Sequence, residues 1–266
     1  MQELWQGIMA KQDGSLVIVG TGIKFLSHLT SEAITHIKSA DIVLYSLNEP
    51  LMEEWVKENS KAVSLDEVIV QSDLRKDTYA AMTAYIVKSV QQKHVCVVFY
   101  GHPTVFAKSA LDAARVVKSE GYLAKILPGI SAEDCLYADL LIDPGSYGCI
   151  SYEATDMILR QRVIDPTSHL IVWQAGMTGN LSHLHRDNFG AINVLQEYLL
   201  KYYDPSQNVI SYEAALYPHA EAKIENLRLD NLKNVKLTNL TTLYIAPKSQ
   251  RKTSQDALLK LGIVQE

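Results

Sequence analysis

The sequence predicts an α/β fold of two domains, each α/β in itself, meeting near residue 128. Three observations lead there. Continuous apolar runs such as Leu16-Val17-Ile18-Val19 and Val95-Cys96-Val97-Val98-Phe99-Tyr100 suit buried strands of a parallel sheet. Helical segments alternate with such runs over the first half of the chain. At Pro128-Gly129 the pattern changes. With 266 residues, 47% of them hydrophobic, the chain can build a proper core in each domain.

Residues 1–13 read as an extension before the first strand. Thr30 can cap a helix running to about residue 40, and Asp41 leads into a second strand, Ile42-Val43-Leu44-Tyr45. Residues 48–58 look helical, with Pro50 tolerated in the first turn. A long helix is predicted over 73–92 with Ser72 as its cap, because Tyr79, Met82, Ile86 and Val90 form a stripe at helical spacing. The strand at 95–100 is broken by Gly101-His102-Pro103. A helix from about 107 to 120 and a strand around 123–127 complete the N-terminal domain, 14–127.

The C-terminal domain, 128–247, is predicted to hold a helix at about 131–141 and strands near 147–151, 169–174, 208–212 and 241–246. Its further helices are placed near 153–162, 190–202 and 222–230, with turns at Asp143-Pro144-Gly145 and Asp165-Pro166. Residues 248–266 form a polar tail that ends in an amphipathic piece carrying Leu258, Leu259, Leu261 and Ile263.

Composition excludes several classes of function. The net charge is −5 and no lysine-arginine stripe appears, which disfavours general nucleic-acid binding. No apolar run approaches the roughly 20 residues that span a bilayer, and the N-terminus lacks the pattern of a signal peptide. Cys96, Cys135 and Cys149 are scattered without CxxC spacing, so buried reduced thiols are expected, with neither zinc nor a disulfide framework. The expected location is the cytoplasm, and no metal is expected.

Gly20-Thr21-Gly22 follows a buried strand, as a dinucleotide-binding fingerprint does. The third glycine of that fingerprint is replaced by Phe25, and Ser46-Leu47-Asn48 stands where an acidic residue belongs. A tight turn and a ligand-binding turn both fit. Tyr100-Gly101-His102-Pro103-Thr104-Val105-Phe106 sits at the carboxyl end of a strand, where open α/β sheets bind ligands. In Leu127-Pro128-Gly129-Ile130-Ser131-Ala132-Glu133, Ser131 is placed to cap the next helix. Trp173-Gln174-Ala175-Gly176 and Thr241-Thr242-Leu243-Tyr244 mark two further turns or strand starts.

In that order, from about residue 14 to 247, these clusters resemble the tetrapyrrole-methylase family. The resemblance implies two α/β domains with S-adenosylmethionine in the cleft between them, held largely by backbone groups. The implied cofactor contacts are Tyr100, His102, Val105, Phe106, Ser131, Ala132, Gln174, Ala214, Thr241 and Thr242. Enzymes acting on tetrapyrroles usually carry aspartate in place of His102 and a GPG turn in place of Gly22-Ile23-Lys24. With FYGHPTVFA, LPGISAEDCLYADL, IDPGSYGC and EAT, these departures make the chain similar to the borosin subfamily. That subfamily methylates backbone nitrogens of a ribosomal peptide. Arg75 and Tyr79 match its catalytic arginine and tyrosine, with Tyr100 beside the cofactor to orient amide or methyl donor. The tyrosine often found six residues before the arginine is Ile69 here.

Amide nitrogen is a poor nucleophile because its lone pair is shared with the carbonyl, so its proton has to be removed while charge builds on oxygen. Residues four apart share one helix face, so Arg75 and Tyr79 can meet one amide together. Arg75 would stabilise the imidate-like oxygen, a contribution of roughly 3–4 kcal/mol for a well-placed donor. Tyr79 is the candidate base, helped by a nearby cation, since a free phenol has a pKa of about 10. As packing residues alone, Tyr79 belongs to the apolar stripe and Arg75 to a solvated first turn. The expected activity is iterative methylation of backbone amides. A tetrapyrrole or other small-molecule methylase is the alternative, and a silent cofactor sensor the non-enzymatic one. The resemblance also implies a homodimer. The tail lacks an extended apolar core, so the expected substrate is a separate precursor peptide bound in a 2:2 complex.

Overall fold

The computed structural model describes residues 14–69, 74–91, 93–180 and 189–263. They fall into two compact units. The first holds the described residues up to Leu140 together with Ala214–Ala222. The second holds Leu141–Asn180, 189–213 and 223–263.

In the first unit, β1 (Ser15–Gly20) is followed by α1 (Ser31–Ser39), β2 (Ile42–Ser46), α2 (Pro50–Asn59), β3 (Ala62–Ser64), α3 (Leu65–Val68), α4 (Arg75–Ser89), β4 (His94–Phe99), α5 (Lys108–Ser119), β5 (Leu123–Ile126) and α6 (Ala132–Asp139). The five strands are all parallel, in the order β3-β2-β4-β1-β5. Thr30 caps α1 by accepting the Ala33 N–H, and Glu49 caps α2 through both carboxylate oxygens.

Residues of α1 and α2, among them Ile37 and Val56, pack on one sheet face with Val19, Val43 and Val98. Residues of α4 and α5, among them Ile86 and Ala113, pack on the other with Leu16, Ile18 and Val97. The chain therefore leaves β1 toward one face and neighbouring β4 toward the other. This is a topological switch point, and at such points open α/β sheets bind ligands beyond the carboxyl ends of their strands.

The sequence reading has two omissions here, β3 and α3, which are only three and four residues long. The long helix starts at Arg75 with Leu74 at the cap position and no side-chain cap bond. Ser72, expected to cap it, lies outside the described residues. The helix after Pro128-Gly129, α6, belongs with the first unit, so the compact division falls at Leu140 and Leu141. Leu136 on its inner face is fully buried.

The second unit continues with α7 (Pro144–Tyr147), β6 (Cys149–Glu153), α8 (Ala154–Leu159), β7 (His169–Trp173), α9 (Phe189–Leu199), β8 (Asn208–Glu213), β9 (Lys223–Arg228), β10 (Thr242–Ile245) and α10 (Gln255–Leu261). Its sheet runs β6-β7-β10-β8-β9, parallel between β6 and β7 and antiparallel elsewhere. Met157 of α8 and Ile192, Leu195 and Leu199 of α9 close the core over Leu170, Val172, Leu243 and Ile245.

The helix expected over 222–230 is a correction: these residues form β9 and then a 3₁₀ turn, Leu229–Asn234. Ile224 and Leu227 are three apart, which imitates a helix. The open edge of β8 instead takes this segment as a partner, pairing Tyr212 with Ile224 and joining the Asn208 and Asn226 side chains at 2.9 Å. Beyond β10 the chain is tied back to the same unit, Lys248 to Asp204 and Arg251 to Asp165, both at 2.6 Å. No described helix is long and apolar enough to cross a membrane.

Candidate active site

The glycine turn after β1 proves to be a closed one. Thr21 N–H donates to Phe99 O at 2.9 Å and Gly22 N–H to Gly101 O at 3.2 Å. The next two amides, of Ile23 and Lys24, both donate to Nδ1 of His28, at 3.2 and 3.1 Å. Four successive N–H groups are thus satisfied internally, so this loop is a scaffold and not a phosphate cradle. Gly22 has φ +68° and a side chain there would strike the His28 Cβ. Burial, then the Lys24 charge, lower the His28 pKa, which keeps Nδ1 an acceptor.

The loop after β4 carries Tyr100, His102, Val105 and Phe106. Thr104 N–H donates to His102 Nδ1 at 3.2 Å, which places the imidazole proton on Nε2. Val105 N–H closes the turn onto His102 O at 3.0 Å. Val105 and Phe106 are exposed, and Phe106 adopts a left-handed conformation, φ 54°. Strained backbone of that kind persists only where neighbours hold it, and it gathers at ligand sites. Tyr100 is half-buried, and burial pushes its phenol up to about 12, with Cys135 acting in the same direction.

Strand alternation gives Phe99 and Tyr100 opposite faces. Phe99 packs with the α4–α5 cluster, which Tyr79 also joins, while Tyr100 packs with the α1–α2 cluster. Arg75 and Tyr79 are both half-buried and stand one turn apart on α4. The pair is therefore rooted on one face of the sheet and Tyr100 on the other.

Ser131 is fully used as a cap. Its hydroxyl accepts from Glu133 and Asp134 N–H, while its own N–H and hydroxyl donate to Asp134 Oδ2, both at 2.7 Å. This reciprocal box uses the second and third amides of α6 and leaves the first, of Ala132, outside it. Ala214 lies at the start of Ala214–Ala222. That stretch is fixed to the first unit by Phe25 N–H to Leu216 O at 2.8 Å and by Tyr217 hydroxyl to Glu49 at 2.9 Å.

In the second unit, Gln174 follows β7 in the left-handed conformation, φ 53° and ψ 37°. Ala175 N–H donates to Thr241 O at 3.2 Å. Thr241 and Thr242 are buried, and the Thr241 hydroxyl donates to Glu213 at 2.7 Å. Glu213 and Thr238, which sequence reasoning did not single out, complete this hydrogen-bonded turn. Thr155 of the EAT motif accepts the Gly179 N–H at 3.0 Å and so braces the far end of the same turn.

Among the described residues no group of three His, Cys, Asp or Glu could hold a metal ion. Cys96 is buried as expected. Cys135 and Cys149 are only half-buried. An open hollow lined by Asp41, Lys61 and Lys93 lies at the amino ends of β2 to β4, away from the switch point.

The sequence profile described as Tetrapyrrole (Corrin/Porphyrin) Methylases matches residues 15–231. The chain belongs to this family. Within the tetrapyrrole methylases the fold is shared with solved structures of low identity. The uroporphyrin-III-C-methyltransferase from Thermus thermophilus has a TM-score of 0.64 and 18% identity, over 88% of this chain and 93% of that one. The same enzyme complexed with S-adenosyl homocysteine has a TM-score of 0.59 and 18% identity, over 88% and 97%.

Nearer in sequence are relatives of which three examples follow. The methyltransferase/ribosomally synthesized cyclic peptide gymnopeptides precursor of Gymnopus fusipes is 36% identical over 97% of this chain and 63% of its own length. The corresponding omphalotin A precursor of Omphalotus olearius is 35% identical over 94% and 62%. The type III borosin cyclic peptide precursor of Anomoporia bombycina is 37% identical over 94% and 30%. This chain thus spans less than two thirds of the length of these relatives.

Proposed function

We propose that the protein transfers methyl groups from S-adenosylmethionine to backbone amide nitrogens of a ribosomally made peptide, one amide after another. The observation that carries this reading is the likeness along 97% of the chain to a relative named as a methyltransferase joined to a cyclic peptide precursor. The geometry adds Arg75 and Tyr79, half-buried and one helical turn apart.

The site residues fit the methyl donor. It is an adenosyl sulfonium with a zwitterionic amino-acid end, and the adenosine and amino-acid parts can be held by loops offering backbone donors and acceptors. The turns at 100–106 and 174–176 are of that kind, with left-handed Phe106 and Gln174. The Ala132 amide opens α6, where a carboxylate is favoured. When bound, S-adenosylmethionine supplies an electrophilic methyl group.

The chain's own residues prepare the amide. Arg75 donates to the carbonyl oxygen as it gains negative charge, and Tyr79 takes the proton from nitrogen. Tyr100, kept protonated by burial, donates a hydrogen bond and orients. His102 presents Nε2–H to an acceptor.

The reading includes a homodimer acting on a precursor supplied as a separate chain, two to two. Residues 255–261 are helical, and the amides from Ala257 onward are engaged by the cap or the helix, so these are unsuited to methylation as folded. The test is incubation with S-adenosylmethionine, with and without candidate precursor peptides, read by tandem mass spectrometry as steps of one CH₂ on backbone positions. No methylation of any peptide, with turnover of a tetrapyrrole, would replace this reading by the small-molecule one. Addition to residues 248–266 in the absence of peptide would replace the separate substrate.

A further inference from the structure

We propose that Glu213 is a positioning residue for the methyl-donor site. Its carboxylate sets the 238–241 turn, and that turn fixes Gln174 in its left-handed conformation. The inference rests on the reading that this chain binds S-adenosylmethionine with Gln174 among its contacts.

Glu213 Oε1 accepts the Thr238 hydroxyl at 2.6 Å and the Thr241 hydroxyl at 2.7 Å. Both are short O–H···O hydrogen bonds to one carboxylate oxygen. Each hydroxyl also accepts a backbone amide of the same turn: Thr241 takes the Thr238 N–H at 2.8 Å, and Thr238 takes the Leu240 N–H at 3.1 Å. One carboxylate oxygen thus orients both hydroxyls, and each hydroxyl orients a peptide group. Both protons point at Glu213, so both lone-pair sides face the turn.

What the turn delivers is the shape of 174–176. Thr241 O accepts the Ala175 N–H. Thr238 O lies so close to Gly176 that a Cβ there would be 1.9 Å from it, which is why glycine follows alanine at this point. Gln174 is thereby held in a conformation that residues with a side chain disfavour. Thr241 itself has its N–H, C=O and hydroxyl engaged, by Thr238 O, Ala175 N–H and Glu213 respectively. It therefore acts on the cofactor through Gln174, and the side chain that commands the arrangement is Glu213.

The experiment is calorimetric titration of S-adenosylhomocysteine into the full chain and into Glu213→Gln, Glu213→Ala, Thr238→Val and Thr238→Ser, with thermal melts alongside. Glu213→Gln keeps an oxygen acceptor and loses only the charge, so a loss of about 3-fold in affinity is expected, against about 10-fold or more for Glu213→Ala. Thr238→Ser should bind as wild type does and Thr238→Val about 5-fold more weakly, which decides the matter if Glu213→Ala does not fold. The KM for peptide should stay unchanged in every folded variant. Wild-type affinity in Glu213→Ala or Thr238→Val, or a peptide KM that rises in step with the cofactor Kd, overturns the proposal. Absence of binding by the wild-type chain instead overturns the choice of methyl donor, a distinct result.

Discussion

Gly22 and Gly101 exchange both of their backbone hydrogen bonds, N–H to O at 3.2 and 3.1 Å, and so tie the loop leaving β1 to the loop leaving β4. Both have left-handed φ, +68° and +70°, yet their surroundings differ. A methyl group on Gly101 meets only Ile23 Cδ1 at 3.5 Å, so Gly101→Ala should cost about 1–2 kcal/mol of conformational strain. On Gly22 it would lie 2.1 Å from the His28 Cβ, and Gly22→Ala should cost on the order of 3 kcal/mol or more. Urea unfolding of the two variants checks this; equal losses would show that the His28 contact adds nothing to the strain both positions share.

His28 makes the same loop sensitive to acid. Its Nδ1 accepts two amides, and burial with Lys24 lowers its pKa, against the opposing pull of Asp134 and Asp139. The unfolded chain therefore takes up this proton first as pH falls. The stability that His28 contributes is whole above its unfolded pKa of about 6.5, is lost as pH falls below that value, and levels off once the folded imidazole also protonates. The drop in Tm between pH 7.5 and 5.5 should be smaller in His28→Gln, whose amide oxygen still accepts N–H groups but does not titrate in this range, at about neutrality. An equal drop in both proteins would remove His28 from the account.

Most of the fold was legible because buried parallel strands announce themselves as unbroken apolar runs: β1, β2 and β4 fall where those runs lie. Edge elements were not. Lys223–Arg228 is exposed along nearly its whole length, so its residues answer to the edge of β8 and not to a core, and composition carries no trace of that. For β3 and α3 the reason is length, since three or four residues cannot show a period.

The turns of the candidate site were legible in the sequence, and the bonding of their side chains was less so. Ser131 and Thr241 stand in the expected turns, yet their hydroxyls serve Asp134 and Glu213. Glu213 carries no local signal. It is a half-buried glutamate at the end of a strand, and its partners lie 25 and 28 residues further on. Pairings over that distance become visible only in the folded chain.

Arg75 and Tyr79 should matter to chemistry more than to cofactor affinity. Arg75→Ala removes the donor proposed for the developing oxyanion and should lower kcat by about 10²–10³. Tyr79→Phe keeps the packing of the ring against the α4–α5 cluster while removing the hydroxyl, and should lower turnover comparably with little change in Tm. In both, the Kd for S-adenosylmethionine should stay within about 3-fold of wild type. Near-normal turnover in both would leave the pair as packing residues only.

The last prediction separates the two tyrosines. Burial holds the Tyr100 phenol at about 12, so at neutral pH roughly one molecule in 10⁵ carries it ionised. A group so seldom ionised is a poor proton acceptor and a dependable donor. Tyr100 should therefore steer the amide or methyl donor, while Tyr79, packed on the opposite face of the sheet, is the proposed base. A general base makes kcat rise with pH until it is deprotonated in the substrate complex. Tyr100→Phe should lower kcat by about tenfold, the worth of one hydrogen bond, and leave the shape of that rise intact. Tyr79→Phe should lower kcat further and flatten it. The measurement is single-turnover methylation of a saturating peptide at a series of pH values, so that product release does not mask the chemical step. A rise that survives in Tyr79→Phe and vanishes in Tyr100→Phe would transfer the base role to Tyr100 and require a cation beside its phenol that the desolvation argument does not contain.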